Sequence, residues 1–273
     1  IQVIATGSSS FDLSNEIAEP LTGRKIEFHL YPFSLEELSQ VFSQLELNRL
    51  LEQRMIFGMY PEIVINGAEA GRNLKNLASS YAYKDILQYQ GIKNPEILEK
   101  LLQALALQVG NEVSYNELAG LVGINKNTVA SYIRILESAF IIFRLGPWSR
   151  NLRSELKKLR KIYFFDNGVR NALINNLNPL NLRTDVGALW ENFIISERIK
   201  FNNNHAIDAR SYFWRTKQKQ EIDYLEEKNG KVSGFELKWN KDNFHVPKSF
   251  RDAYPQRPVA LVNRKNFGKF LGL

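Results

Sequence analysis

The sequence predicts a mixed α+β fold of the broad α/β type, and three observations lead to that prediction. Helical patterns dominate residues 34–89, and three more helical runs follow before residue 140. A strand, a turn and a helix succeed one another in KIYFFDNGVRNALIN, which begins at Lys161. Further on, Asn229-Gly230 lies between alternating residues, the strongest short-range signal for a two-residue β-hairpin. We therefore expect a helical first part and a second part in which helices and strands alternate.

Composition limits the class of protein. The chain has 273 residues, 44% hydrophobic and 24% charged, which is typical of one large or two ordinary globular domains. The absence of cysteine excludes disulfides and thiolate metal sites, and we expect a cytoplasmic location. No run approaches the ~20 apolar residues of a membrane span, so no membrane partner is expected. The formal charge of +7 favours a nucleic-acid partner, with a lysine-rich solvated surface as the alternative.

The first 33 residues contain two strand-like patterns. IQVIATGSSS reads as a buried strand that ends in small polar residues, and a second strand is predicted from Lys25 to Leu30. This arrangement resembles the closing portion of an AAA-type ATPase core. The resemblance implies that Ser8 is a polar nucleotide sensor and that Arg24 acts as an arginine finger. A helix cap at the serines and an exposed structural arginine are the alternatives.

A phosphate-binding loop is missing from this sequence. Such a loop needs a glycine-rich turn with Lys-Ser/Thr at the start of a helix, and neither Gly230-Lys231 nor Gly268-Lys269 has that context. We therefore expect that the chain lacks the upstream, nucleotide-binding half of the ATPase. ATP is then expected as a cofactor of a full-length parent protein, not of this chain.

Residues 34–92 are predicted to form a helical lid or connector. Ser34 and Glu37 have the spacing of a helix N-terminal capping box, and Pro61 marks a turn between helices. Nothing in this segment indicates chemistry.

The following region resembles a winged helix-turn-helix. Ser114 is suited to cap the second helix, Gly123 permits the tight turn, and Asn125 or Asn127 is suited to cap the third. The outward residues of the third helix would read a DNA groove. They are Lys126, Asn127, Thr128, Ser131 and Arg134. The alternative is a winged helix that makes protein contacts or packs an oligomer.

A basic segment follows, in which six lysine or arginine residues accompany Glu155 alone. Its position beside the helix-turn-helix makes it a candidate for phosphate contacts, with a solvated surface as the alternative. The candidate residues are Arg153, Lys157, Lys158, Arg160 and Lys161.

The hairpin of residues 221–239 places an acid opposite an acid. With Asn229-Gly230 as the loop, Asp223 faces Glu236 and Glu221 faces Lys238. Alternation puts these charged residues on one face and an apolar set on the other. The apolar set is Ile222, Tyr224, Phe235, Leu237 and Trp239. Opposed like charges weaken a strand pair unless something compensates, and a divalent cation would do so; a merely solvated charged face is the alternative.

A helix with Glu191, a strand, and then this hairpin follow in an order that resembles the PD-(D/E)xK nuclease fold. The layout is similar to archaeal Holliday-junction resolvases and to the uncharacterised domain that follows many AAA-type ATPases. The resemblance rests on Gly187, Glu191, Arg215, Glu221, Asp223, Glu236 and Lys238. It implies that Asp223, Glu236 and Glu191 hold Mg²⁺ or Mn²⁺. It also implies that Lys238 positions the attacking water or stabilises the transition state, and that Glu221 holds Lys238.

The predicted organisation has four parts. Residues 1–33 are a truncated ATPase remnant, 34–92 the lid or connector, 93–161 the winged helix with its basic segment, and 162–273 the nuclease-like domain. Two functions of different classes follow: a metal-dependent DNA endonuclease associated with an ATPase, or a binding module that grips DNA or protein without cutting. DNA is the expected partner, and a homo-oligomer is left open.

Overall fold

The computed structural model describes residues 4, 6, 26–78, 94–148 and 160–273. Within these residues the chain has the mixed α+β fold predicted, with helices packed on one seven-stranded sheet. The helices are α1 Leu35–Leu38, α2 Gln44–Phe57, α3 Pro61–Ile65, α4 Ala70–Asn76, α5 Pro95–Leu107, α6 Tyr115–Val122, α7 Lys126–Ser138, α8 Asn167–Leu173, α9 Val186–Asn204, α10 Lys248–Ala253 and α11 Phe267–Leu271.

The sheet runs in the order β1-β3-β2-β4-β5-β6-β7. Its β2–β4 and β6–β7 pairs are parallel and the other neighbours are antiparallel. The strands are β1 Glu112–Val113, β2 Ile142–Pro147, β3 Arg160–Phe164, β4 Ala209–Arg215, β5 Glu221–Lys228, β6 Lys231–Leu237 and β7 Val259–Val262.

One hydrophobic core is shared by parts that the sequence analysis separates. It contains buried side chains from Leu35 near the start to Leu271 near the end. The predicted boundary between residues 161 and 162 falls inside β3, which pairs with both β1 and β2. Because β2 also pairs with β4, the sheet continues across that boundary.

The predicted strand from Lys25 to Leu30 does not form over residues 26–30, which is a correction. These residues have no sheet pairing, and Ile26, Phe28 and Leu30 are 83, 83 and 92% exposed. A strand needs a neighbouring strand to satisfy its backbone groups, and none of the seven strands of the described residues pairs with this segment. The capping box at Ser34 and Glu37 is present and begins α1.

The helix caps predicted from residues 114–127 are confirmed. Ser114 caps α6, Asn125 caps α7, and Gly123 ends α6 with a φ of 74° that favours glycine. Helices α5, α6 and α7 precede the antiparallel pair β2–β3, to which β1 adds a short third strand.

Helix α8 begins directly after β3, as the strand–turn–helix pattern predicts. Asp166 caps it by accepting a hydrogen bond from the Val169 amide at 3.0 Å, and it also accepts one from the Met59 amide at 2.6 Å. A Cβ at Gly58 would lie 2.1 Å from the Asp166 carboxylate, so only glycine permits this approach.

Two buried arginines share one carboxylate at the start of α9. Arg170 and Arg183 both bind Asp185, at 2.5 and 2.8 Å. Burial alone would raise the pKa of Asp185, but hydrogen bonds from Arg183 and Arg170 outweigh it and lower the pKa to about 2. The Asp185 carboxylate therefore stabilises the fold at neutral pH.

We expect Asp185→Asn to lower the free energy of unfolding by about 2 kcal/mol at pH 7, because the pKa shift measures the lost stabilisation. A lowered folded-state pKa stabilises the protein above the ordinary value of 3.8 and loses its effect as the pH falls toward 2. The difference in stability between the variant and the unmodified protein should therefore shrink as the pH falls from 3.8 toward 2. Urea unfolding at several pH values measures it, with the exposed Asp208→Asn as control. A deficit independent of pH would contradict the explanation.

Among the helices of the described residues, none is both long enough and apolar enough to cross a membrane.

Candidate functional site

The hairpin turn is confirmed, and its register is the one expected. Asn229 and Gly230 have φ values of 50° and 72°, as a type I′ turn requires. The five strand pairs from Lys228–Lys231 to Tyr224–Phe235 follow the predicted numbering. Asp223 and Glu236 are therefore brought to the same place on neighbouring strands.

A β-bulge interrupts the alternation at the acidic residue. On β4, Tyr212 pairs with Leu225 and Trp214 pairs with Ile222, so Phe213 faces two residues, Asp223 and Tyr224. Bulges of this kind redirect side chains and are common beside functional sites. The single apolar face predicted for Ile222 and Tyr224 is therefore wrong, since the two side chains belong to different hydrophobic clusters.

Three carboxylates, one from α9 and two from β5, lie close together. Glu191 of α9 and Glu221 and Asp223 of β5 each offer an oxygen atom within 4.8 Å of the others. Asp223 is held in place because its Oδ2 accepts the Leu237 amide at 2.8 Å. Glu191 is held by the Tyr163 hydroxyl, which donates to its Oε1 at 2.6 Å. Oxygen donors so arranged are suited to a hard divalent cation.

Lys161 extends from β3 into this group of carboxylates. Its Nζ lies 3.0 Å from Glu191 Oε1 and forms an ion pair with Glu221. Burial alone would lower the pKa of Lys161, but the charges of Glu191 and Glu221 outweigh it and raise the pKa. The lysine is therefore a charged, buried part of the site.

A second lysine connects the hairpin acids. Lys238 Nζ lies 3.0 Å from Asp223 Oδ2 and 2.8 Å from Glu236 Oε1. Glu236 is only 9% exposed, and its other oxygen, Oε2, is buried without a hydrogen-bond partner. Such an oxygen is costly unless something in the site compensates it.

Burial governs the electrostatics of the acids. It raises the pKa of Glu191 to about 7, with Asp223 adding to the rise and Lys161 opposing it. Burial likewise raises the pKa of Glu236, again with Asp223 adding to the rise. Both raised pKa values reflect mainly the removal of these two carboxylates from water, with the charge of Asp223 as a smaller contribution.

The structure changes two of the assignments made from the sequence. Glu221 contacts Lys161 and lies 3.4 Å from Arg215, whereas Lys238 contacts Asp223 and Glu236; the expected Glu221–Lys238 pair is wrong. Lys161 is 1% exposed, so the expectation that it lies on an exposed basic segment is also wrong.

Tyr163 is a site residue that the sequence analysis did not identify. It and Lys161 are separated by one residue on β3, so both contact Glu191 from the same face. The alternation in KIYFF was the available signal, but it does not indicate which element the strand packs beside.

The residues predicted to read DNA lie at the surface of α7. Lys126, Asn127 and Arg134 are exposed, and Thr128 and Ser131 are half-buried. Arg160 is half-buried at the start of β3. DNA contact by these residues stays a prediction. Five further candidates lie outside the described residues, namely Ser8, Arg24, Arg153, Lys157 and Lys158.

A polar cleft of about 730 Å³ opens near the hairpin end. Its wall contains Trp239, which follows Lys238 in the chain and packs against Trp190 at a centroid distance of 5.1 Å. The other lining residues are Gln44, Asn48, Leu51, Glu52, Arg264, Lys265, Asn266, Phe267, Gly268 and Lys269. The cleft therefore carries three basic side chains against one acidic one, together with two aromatic residues.

Three family models match different parts of the chain. Residues 1–39 match an AAA domain, residues 48–180 match a domain of unknown function (DUF8612), and residues 186–268 match another domain of unknown function (DUF4143). The AAA and DUF4143 matches together indicate an AAA-like, ATPase-associated protein.

The similar curated proteins are themselves uncharacterised. One from Haemophilus influenzae is 28% identical over 63% of this chain and 46% of its own length. One from Methanocaldococcus jannaschii is 24% identical over 82% of this chain and 52% of its own, and one from Mycobacterium tuberculosis is 26% identical over 85% and 51%. The chain thus spans about half the length of the curated relatives it matches. No solved structure matches it significantly.

Proposed function

We propose that this ATPase-associated chain carries a metal-dependent, PD-(D/E)xK-like phosphodiesterase site and acts on DNA. The convergence of Glu191, Glu221 and Asp223 within 4.8 Å is the observation that supports it most. The buried, unpartnered Glu236 Oε2 beside Lys238 supports it independently.

Asp223, Glu236 and Glu191, the ligands expected from the sequence, would hold the Mg²⁺ or Mn²⁺ ion together with Glu221, which offers an oxygen within 4.8 Å of those of Glu191 and Asp223. Their excess of buried negative charge fits a divalent cation, which prefers oxygen ligands and keeps several waters. Such an ion, when bound, activates a water and stabilises charge on the phosphate. The protein's own groups orient the ligands: the Leu237 amide holds Asp223 and the Tyr163 hydroxyl holds Glu191. Lys238 would place a positive charge beside the phosphate.

The DNA would be gripped by the winged helix-turn-helix. The order of α5, β1, α6, α7, β2 and β3 is that of a winged helix, and the exposed Lys126 and Arg134 lie on α7. The basic cleft beside Trp239 offers a second surface for the backbone.

The proposed activity is tested by incubating the chain with labelled single-stranded, duplex, flapped and four-way DNA. Cleavage with Mn²⁺ or Mg²⁺ that EDTA abolishes would support a nuclease. DNA binding without cleavage would support the alternative of a non-catalytic module. If the chain neither binds nor cleaves DNA at low salt, both the nuclease and the DNA-binding module are refuted.

We expect the double variant Lys126→Ala/Arg134→Ala to weaken DNA binding and to flatten its salt dependence. Each lost phosphate contact removes about 0.9 from the slope of log K against log salt, so the slope should fall by up to about 1.8. Fluorescence anisotropy over a salt series measures it. Lys248→Ala/Arg251→Ala, which removes two exposed charges on α10, is the matched control. An equal change in both double variants would argue against α7.

A further inference from the structure

Lys161 reaches the carboxylates from a different part of the sheet. It lies on β3, within the region that matches DUF8612, whereas Glu191 and Glu221 lie within the match to DUF4143. Its ammonium group lies 3.0 Å from Glu191 Oε1 and pairs with Glu221. The positive charge therefore lies within the ligand group to which the proposed function assigns a metal ion.

The charges of the site leave room for one divalent ion. Four carboxylates are present, from Glu191, Glu221, Asp223 and Glu236, and two ammonium groups, from Lys161 and Lys238, contact them. Arg215 near Glu221 is balanced by Glu112, which lies 3.4 Å from it. When all these groups are ionised, two negative charges remain, and the buried Glu236 Oε2 has no hydrogen-bond partner.

Resting on the proposed function, we propose that the Lys161 ammonium takes the place of a second metal ion. The carboxylates then bind one divalent cation, and bind it more weakly than they would without the lysine. Two positive charges a few ångströms apart in a buried site repel each other strongly, so the lysine and a second ion exclude one another. The strand β3 thereby determines how many ions the site accepts.

The experiment measures Mn²⁺ binding to the whole chain without DNA, by calorimetry and by electron paramagnetic resonance. We expect one ion in the unmodified protein. Lys161→Met and Lys161→Gln remove the charge and should bind Mn²⁺ about tenfold or more tightly, or bind a second ion. Lys161→Arg keeps the charge and is the matched control. Damage to the fold would weaken Mn²⁺ binding, whereas loss of the lysine charge alone would tighten it. Tighter binding therefore shows that the charge, and not the fold, is responsible.

Other results overturn the inference. One such result is that Lys161→Met and Lys161→Gln bind Mn²⁺ no more tightly than the unmodified protein does. Another is that the unmodified protein binds two ions. Both results leave the proposed metal site in place. Failure of all variants and of the unmodified protein to bind Mn²⁺ removes the proposed site itself. Variants that do not fold, as judged by circular dichroism with and without Mn²⁺, would show that Lys161 is structural only.

Discussion

Replacing Asp223 with asparagine is expected to abolish metal-dependent cleavage of DNA. Asp223 is the residue that connects the two halves of the site: it belongs to the group with Glu191 and Glu221, and it shares Lys238 with Glu236. Removing its charge removes a metal ligand, and it also removes one of the two carboxylates that neutralise Lys238. A loss of several kcal/mol of transition-state stabilisation corresponds to a rate reduction on the order of a thousandfold.

The substitution should leave the fold intact. The amide oxygen of asparagine can still accept the Leu237 amide hydrogen bond that Asp223 accepts. Rates of product formation with Mn²⁺ are compared with those of Asp208→Asn, an exposed acid in the same region. DNA binding by the Asp223 variant should be unchanged. Cleavage at the normal rate by the Asp223 variant would refute its role as a ligand.

Local chemistry made the hairpin predictable. Asn229-Gly230 demands a two-residue turn, and that turn sets which residues of β5 and β6 face each other. The bulge at Asp223 was not predictable from the turn, because it arises in the pairing of β5 with β4 on the other side. The turn fixes how β5 pairs with β6, but it says nothing about an extra residue in the pairing of β5 with β4.

The environment of Glu191 depends on residues far away in the chain. Lys161 and Tyr163 contact it across 30 and 28 positions. In the sequence, Lys161 ends a basic run and was therefore interpreted as part of that charged surface. Only the packing of α9 on β3 shows that its charge is buried. The caps at Ser114 and Asn125, by contrast, depend on neighbours three residues away, and the sequence suffices for them.

A buried ion pair on α9 binds the backbone at Phe33 and Leu35. Glu197 and Lys200 are each 2% exposed and pair with each other. The Leu35 amide donates to Glu197 Oε2 at 2.6 Å, and Lys200 Nζ donates to the Phe33 carbonyl at 2.8 Å. Phe33 and Leu35 belong to the residues that match the AAA domain, and α9 to those that match DUF4143. This pair therefore joins the ATPase-like segment to the helix that carries Glu191.

We expect Lys200→Met to lower the free energy of unfolding by about 3–5 kcal/mol at pH 7. The substitution leaves the Glu197 carboxylate buried without its cation, which is the costly way to break a buried pair. Burial already raises the pKa of Glu197, and Lys200 opposes that rise. The folded-state pKa of Glu197 should therefore rise further in the variant, so that the variant gains stability relative to the unmodified protein as the pH falls.

Chemical unfolding between pH 4 and pH 8 tests this expectation. The exposed Lys228→Met is the control and should change stability by less than about 0.5 kcal/mol. Lys200→Met/Glu197→Gln removes both charges while an amide oxygen remains for the Leu35 amide, so it should be more stable than Lys200→Met at pH 7. If the double variant is the less stable, the pair does not couple through charge. The connection between the ATPase-like segment and α9 would then depend on the apolar packing of Leu35 in the shared core.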